Sequence, residues 1–513
     1  MGKRSLLTLM VASAAVLCLV TTIAAQDRET VELSLDDALR IALKNNLDLV
    51  SASYVPELAE QDVNSQLSTF DAGFQTYYDR AISERPATQL STVTGSETDQ
   101  INIGVQQNLR MGADYTVGFA TTKSLQTGPN VTAPGSYFSG LFLQMNLPLL
   151  NGFGTQVTTE QLVLARNDLE ISKTDLEQQA ETTMEIVEGA YWDVVAAREA
   201  LRIAVFSLQR AEDLLELNQK KVEVGTLAPI EITQAEAGVA SQEEGVIVAE
   251  ATLQDAEDEL RRLLAIPDSD PMWNQEIMNS TRPVFETSDI NVEEAILIAL
   301  SERASVRSAE QTVENRMLNE RNARRQVRHN LDFTAQYNPQ GVSLDSPEFQ
   351  DPLGNIFPEE SADIGESIAR IGNGDVYNWS ARVTYSVPIG NRAAKATYAR
   401  ARISRERSQT DLENAEQTVR VEVRRSARAV ESGIKRVQAA RKNVELQQKK
   451  LDAEQKKFAN GMSTSFEVLT FQNDLADAEL SEIRARLDYI KAVAALERAK
   501  GTLLEARGLD LDY

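Results

Sequence analysis

The sequence predicts an α+β membrane protein made mostly of long coiled-coil α-helices, with a smaller set of strands, and built by internal duplication. Three observations carry this prediction. Apolar residues return every seventh position over two long stretches. The two stretches stand at one fixed offset. Elsewhere the apolar period falls to two over segments of about ten residues, the length that crosses a bilayer when tilted.

The heptads come first. Val187, Val194, Leu201, Leu208, Leu215 and Val222 lead to Gly225, and Val423, Val430, Val437, Val444, Leu451 and Phe458 lead to Gly461. Gly225 and Gly461 are 236 residues apart, as are Val187 and Val423. A seven-residue stripe held this long packs helices along a narrow left-handed seam. One long hairpin therefore occurs twice, and a repeat of this size governs the fold before any local motif does.

Composition narrows the class. The chain has 513 residues and a formal net charge of −25. Phosphate repels such a chain, which argues against nucleic acid as a partner. Residues 1–25 read as a secretory signal peptide: Lys3 and Arg4, an apolar run from Leu6 to Ile23, then Ala24 and Ala25. The single cysteine, Cys18, lies inside it, and Leu17 before it does not suit lipidation. An exported chain without disulfides must be held by helix packing, sheet pairing or oligomerisation. No later apolar run is long enough for a transmembrane helix. A soluble exported protein or a β-barrel remains.

In chain order, Ser34 caps a helix over 34–46, and Asn291 caps its partner over 291–303. A further helix is expected over 57–69, after Pro56. Alternation then marks strands at 70–75, 101–109, 115–119 and 137–147, and again at 331–337 and about 378–387. The segments 81–98, 125–136 and 338–376 read as long exposed loops. Helix resumes from Thr155 to Val224, on the order of 100 Å of it, and from Ala393 to Phe458. Each run turns at glycine and returns, to about Ala265 and Arg507. The first repeat thus covers 26–265 and the second 291–507. Residues 266–290, with Pro267, Pro271 and Pro283, form a linker, and 508–513 form a tail.

This plan resembles the TolC-like outer membrane efflux protein family. The carrying residues are the strand exits Leu147-Pro148-Leu149-Leu150-Asn151-Gly152-Phe153-Gly154 and Val387-Pro388-Ile389-Gly390, and the tips Val224-Gly225-Thr226 and Asn460-Gly461-Met462. Each motif alone is weak, but their order recurs twice over essentially the whole mature chain. The resemblance implies a homotrimer in the outer membrane of a diderm bacterium. Its strands would share one β-barrel, and its helices would form a tunnel, an α-barrel, through the periplasm. Physics agrees, because a lone sheet would leave its edges unpaired in lipid. The plainest family plan has two strands per half. Here an extra hairpin over 99–124 either enlarges the barrel or folds outside it.

The resemblance also implies the site. The family closes its tunnel with acidic side chains just past the turn glycines. Matching positions are Glu231 and Glu467, six residues beyond Gly225 and Gly461. Thr470 stands where some members carry a second acid. Phe458 and Ser463 stand where some carry a locking tyrosine and arginine. Repeated threefold, the two glutamates would ring the narrow end and favour cations. In a chain this acidic they also fit an ordinary solvated surface. The tips, Val224, Gly225, Thr226 and Leu227 with Asn460, Gly461, Met462 and Ser463, are the implied docking surface for a periplasmic adaptor working with an inner-membrane pump. A helical hairpin needs such glycines in any case. Basic residues gather where helix meets strand: Arg321, Arg324, Arg325 and Arg328, then Arg392, Lys395, Arg400 and Arg402. Lipid phosphates would favour them there.

No enzyme is expected. The one histidine, His329, sits in the basic run, and no phosphate loop or nucleophile elbow is present. No cofactor or metal site is expected either. The expected function is a passive exit duct of a tripartite efflux or type I secretion system. The rival is a soluble periplasmic coiled-coil adaptor or scaffold, which fits the heptads but not the alternating segments 137–147 and 379–387.

Overall fold

A computed structural model describes residues 30–86, 93–128, 131, 135–283, 285, 290–374 and 376–511. The expected signal segment and Cys18 lie outside the described residues. The chain opens with β1 (Thr30–Leu33), α1 (Leu35–Asn45) and α2 (Leu47–Ser68). Four strands follow: β2 (Gly73–Glu84), β3 (Gly95–Asn108), β4 (Asp114–Thr127) and β5 (Gly135–Pro148). A short α3 (Thr155–Thr158) precedes the long α4 (Glu160–Glu223), from which α5 (Ile230–Leu264) returns. Next come β6 (Glu276–Asn279), α6 (Val292–Glu302), α7 (Ala304–Gln326) and β7 (Asn330–Leu344). Then follow β8 (Phe349–Gln350), β9 (Ile356–Phe357), α8 (Ile364–Asn373) and β10 (Val376–Ser386). The second long helix α9 (Arg392–Ala459), its return α10 (Ser465–Lys500) and α11 (Leu503–Ala506) complete the chain. Two compact units result, each drawing on both sequence halves. Among the described residues, one unit draws on 54–175 and 304–417, and the other on 30–53, 176–303 and 418–511.

The first of these units holds a six-stranded antiparallel sheet in the order β10-β7-β5-β4-β3-β2. The extra hairpin therefore does not fold outside: β3 and β4 sit within the sheet, between β2 and β5. One row of paired residues crosses all six strands: Phe74, Val105, Val117, Leu143, Tyr337 and Trp379. Every member is apolar, and Phe74 and Trp379 are about two-thirds exposed, at 68% and 67%. The adjacent row reads Gly73, Gln106, Thr116, Gln144, Gln336 and Ser380. It is polar apart from the glycine, and Gln336 donates to Gln144 at 3.2 Å. Successive residues of a strand face opposite ways, so a band of one face is apolar from strand to strand and the band behind it is polar, while farther along the strands the apolar band's face carries Arg80, Asp99, Thr121 and Ser139. Burying each large side chain of the apolar row in hydrocarbon is worth about 1.5–3 kcal/mol.

Three expectations fail here. The expected loop 81–98 holds the end of β2, which runs to Glu84, and the start of β3 at Gly95. The expected loop 338–376 contains the end of β7, the small β8–β9 pair and the helix α8. Backbone pairing carries these strands past the apolar alternation that marked them. Pro56 lies inside α2 instead of ahead of the helix. The helix α8 packs on the same face beyond the apolar band, where Ser367 shares a hydrogen bond with Ser139 at 2.6 Å. Gly341 permits this approach: a Cβ there would meet the Ser367 carbonyl oxygen at 1.8 Å.

In the helical unit both sequence-derived caps form. Ser34 accepts from the Asp37 amide at 3.1 Å and Asn291 from the Glu294 amide at 3.3 Å. On α9 the heptad stripe is the buried one: Val423, Val430, Val437, Leu451 and Phe458 are all under 4% exposed. On α4 it is buried only at Val187 and Val194. Further along, the buried positions are Ile203, Ser207, Ala211, Leu214 and Asn218, in steps of four, four, three and four residues. A straight helix turns every 3.6 residues, so a seam can drift off a strict heptad.

The expected linker 266–290 is not only a connection. Its strand β6 pairs in parallel with β1, Thr30 opposite Glu276 and Leu33 opposite Asn279. Arg198 holds that strand, donating to Glu276 at 2.5 Å, to the Ile277 carbonyl at 2.6 Å and to buried Glu257 at 3.1 Å. Arg507 grips buried Glu188 through two hydrogen bonds, at 2.5 and 3.1 Å, a strong fork geometry.

Burial pushes the Glu181 carboxyl up from its ordinary 4.5 to about 7, against the pull of Arg303 and Arg498. Between those two values the folded chain binds more protons than the unfolded chain, so stability falls as pH rises through that window. The loss is on the order of 3 kcal/mol. The denaturation midpoint of the wild type is expected to drop between pH 4.5 and 7, and Glu181→Gln is expected to flatten that slope.

Candidate functional site

The two hairpin tips belong to the helical unit. Both long helices end the same way. Gly225 adopts φ +77° and Gly461 φ +70°, backbone that side chains with a Cβ seldom take. The Thr226 amide donates to the Lys221 carbonyl and the Met462 amide to the Lys457 carbonyl, each at 2.9 Å. These are Schellman closures at positions 236 residues apart. The sequence duplication is therefore also a duplication of hydrogen bonds.

The return helices start differently. Thr464 caps α10, accepting from the Glu467 amide at 3.3 Å, while Glu467 Oε2 accepts from the Thr464 amide at 3.3 Å. That reciprocal pair is a capping box. Ser463 also donates to Glu467, at 2.7 Å. In α5 the matching positions are Ala228 and Pro229, and no side chain caps the helix.

Glu231 lies one turn into its own hairpin but serves the other one. Its Oε2 accepts from the Ser465 amide at 3.1 Å. Asn218, fully buried, donates to Ser465 Oγ at 2.7 Å and to the Glu231 carbonyl at 3.2 Å. The structure thus brings Glu231 and Glu467 together on consecutive amides at the start of α10, where the helix dipole favours negative charge. Thr470 does not join them, since its hydroxyl donates to its own helix, to the Phe466 carbonyl at 2.9 Å.

Beneath the carboxylates, Leu214, Phe458 and Val468 form a small core backed by Leu469. Lys221 sits over the Phe458 ring, 4.0 Å from its centre, and donates to the Phe458 carbonyl at 3.1 Å. Phe458 is therefore a core residue that carries a cation–π contact. Sequence reasoning missed Asn218 and Lys221. Asn218 was findable, as a polar residue between Leu215 and Val222, at seam spacing. Among the tip residues Val224 is 72% and Met462 69% exposed, and Gly225, Thr226, Asn460 and Gly461 are exposed as well. Leu227 and Ser463 are half-buried.

The sequence pattern of the outer membrane efflux protein family matches residues 114–265 and 295–502, well over half of the chain. The chain belongs to the outer membrane efflux protein family. Solved channels share its fold. The Campylobacter jejuni CmeC outer membrane channel is 14% identical, with a TM-score of 0.65 over 93% of this chain and 90% of that one. Vibrio cholerae VceC is 13% identical, with a TM-score of 0.64 over 91% of this chain and 96% of that one. The open state of the Neisseria gonorrhoeae MtrE channel is 16% identical, with a TM-score of 0.62 over 91% and 89%. No curated protein sequence gives a significant match. This chain is accordingly an outer-membrane efflux channel component and not an enzyme. The soluble adaptor or scaffold reading is set aside.

Removing the capping acid in Glu467→Ala is expected to cost α10 about 1 kcal/mol of local stability. Hydrogen exchange of the first-turn amides of α10 should then speed up roughly fivefold. Thr470→Ala should leave that exchange unchanged.

Proposed function

We propose that three copies of this efflux protein assemble into one passive export duct, opened at its hairpin tips by a periplasmic adaptor coupled to an inner-membrane pump. The observation that carries this reading is the sheet. It has an apolar band that crosses all six strands, yet β2 and β10 are left as open edges. Unpaired backbone groups are too costly to keep in lipid. The edge strands are nearly equal in length, 12 and 11 residues, which suits pairing of β2 in one copy with β10 in the next. Three six-stranded sheets then close a barrel of eighteen strands. Two strands per half would give twelve. Barrel diameter grows roughly in proportion to strand number, so this wall is about half again as wide.

The tips supply the moving part of the proposal. The exposed residues Val224 and Met462, with Ile230 at 59% and Phe466 at 65% exposure, offer apolar contacts to an adaptor. The Glu231–Ser465 and Asn218–Ser465 bonds tie one hairpin to the other. An adaptor that draws the hairpins apart must replace these bonds, each worth about 1 kcal/mol, and part the Leu214–Phe458–Val468 contact and the Lys221–Phe458 pair. Glu231 and Glu467, repeated around the trimer, add a negative ring that favours cations.

The test is conductance of the purified protein in a planar bilayer. Discrete, cation-preferring steps are expected. Glu231→Ala, which loses one of the ties between hairpins, should raise the open fraction about fivefold. Glu467→Ala should weaken the cation preference. A folded oligomer that never conducts would refute the duct.

A further inference from the structure

At the end of α7, four arginines share one cavity. Arg321, Arg324, Arg325 and Arg328 line a space of about 580 Å³ together with Val327 and with Tyr398 of α9. No carboxylate lines it, in a chain with 77 acidic and 52 basic residues. Arg325 donates to the Gln156 side chain at 2.5 Å. The side chains of Arg321, Arg324 and Arg328 have no ion pair or hydrogen bond among the described residues. Two acids of these helices are already engaged, and the neighbouring Glu160 of α4 feels the charge of Arg325. Glu320 accepts from Arg405 at 2.6 Å, and Glu406 faces Arg402 at 3.5 Å.

Such a group is unfavourable as it stands. Arginines three and four apart on a helix repel each other. The dipole of α7 offsets part of that in its last turn, but it does not supply acceptors for the guanidinium donors. A phosphate would, because each guanidinium can meet two of its oxygens. Tyr398 adds a hydroxyl and a ring to the rim.

The place of the cavity bears on where the phosphate comes from. Asn391 donates to the Val327 carbonyl at 2.9 Å, which ties the start of α9 to the turn before β7. His329 Nδ1 shares a hydrogen bond with the Tyr385 hydroxyl at 2.6 Å, at the root of β7 and β10. The apolar band of the sheet begins with Leu331, paired with Tyr385, and Phe333, paired with Val383. The cavity therefore stands where the chain leaves the membrane-crossing sheet, at headgroup depth on the periplasmic side.

We propose that this arginine cavity binds a phosphate group, and that the group belongs to a phospholipid of the inner leaflet. The other source of the same chemistry is a soluble phosphorylated compound. The proposal rests on the sheet crossing the outer membrane. It would give the helix–strand junction a fixed lipid anchor.

The experiment counts bound lipid on the full-length protein by native mass spectrometry. The probes are phosphatidylglycerol, diacylglycerol with the same acyl chains, and inorganic phosphate as competitor. Flotation with phosphatidylglycerol vesicles is scored on the same samples. Phosphatidylglycerol should remain on each chain and diacylglycerol should not. Arg324→Gln alone should weaken retention about tenfold, and the fourfold variant Arg321→Gln, Arg324→Gln, Arg325→Gln, Arg328→Gln should abolish it. A control with equal charge loss elsewhere, Lys220→Gln, Arg407→Gln, Lys442→Gln and Lys449→Gln, should keep it. The single variant stands in if the fourfold one does not fold. Inorganic phosphate that binds only when the arginines are present, with no lipid retained, would assign the soluble source and overturn the lipid anchor. Equal retention by wild type, variants and control would overturn the site while flotation stays intact. Loss of flotation in the wild type would instead overturn the membrane-crossing sheet.

Discussion

Backbone hydrogen bonding at the two edges of the sheet is the constraint on which the rest depends. Inside lipid no water can satisfy a free amide or carbonyl. Strands β2 and β10 each present a full row of them. A single chain cannot close its sheet, and an apolar row that crosses all six strands cannot face water without cost. Together these two facts favour closure by further copies of the same chain. The hairpin β3–β4 then has a plain physical meaning. It widens the sheet of the single chain, because it is paired on both sides within that sheet. The α8 segment is a different kind of addition, seated on the sheet beyond its apolar band through Ser139, Gly341 and Ser367.

Helix ends dominate the candidate site. Two glycines with positive φ turn the long helices back, with matching hydrogen bonds in both halves. After the turns the halves diverge, and the reason is local chemistry. Thr464 and Ser465 give α10 a capping hydroxyl and an accessible first amide. Ala228 and Pro229 give α5 neither. Glu467 closes its own box, whereas Glu231 crosses to the other hairpin. Two glutamates at equivalent positions thus carry unequal burdens, one local and one between hairpins. The fit of these residues to a gate lies in that second role.

Much of this architecture was legible in the sequence because it rests on periodicity. Heptads found α4 and α9, alternation found the sheet, and Ser34 and Asn291 marked their helices. The failures share one cause, which is pairing that leaves no local trace. Strands β2, β3 and β7 outrun their apolar alternation because backbone bonds continue after the side chains change character. Strand β6 needed β1, and the two are separated by most of the first half. On α4 the strict heptad misplaced the buried seam beyond Val194, since the buried positions there follow longer steps. At the site, position predicted Glu231 and Glu467 but not their partners. Nothing in the sequence alone says that Glu231 would reach the Ser465 amide. Asn218, a polar residue at seam spacing, was the one readable hint.

The most direct measurement of the central claim is a reconstruction of the purified protein in lipid nanodiscs, with the strands in the membrane wall counted. Closure by three six-stranded sheets predicts eighteen strands in one continuous barrel, with β2 of each copy hydrogen-bonded to β10 of the next. A wall of twelve strands, with β3 and β4 outside it, would contradict the account. So would a sheet whose β2 edge stays unpaired.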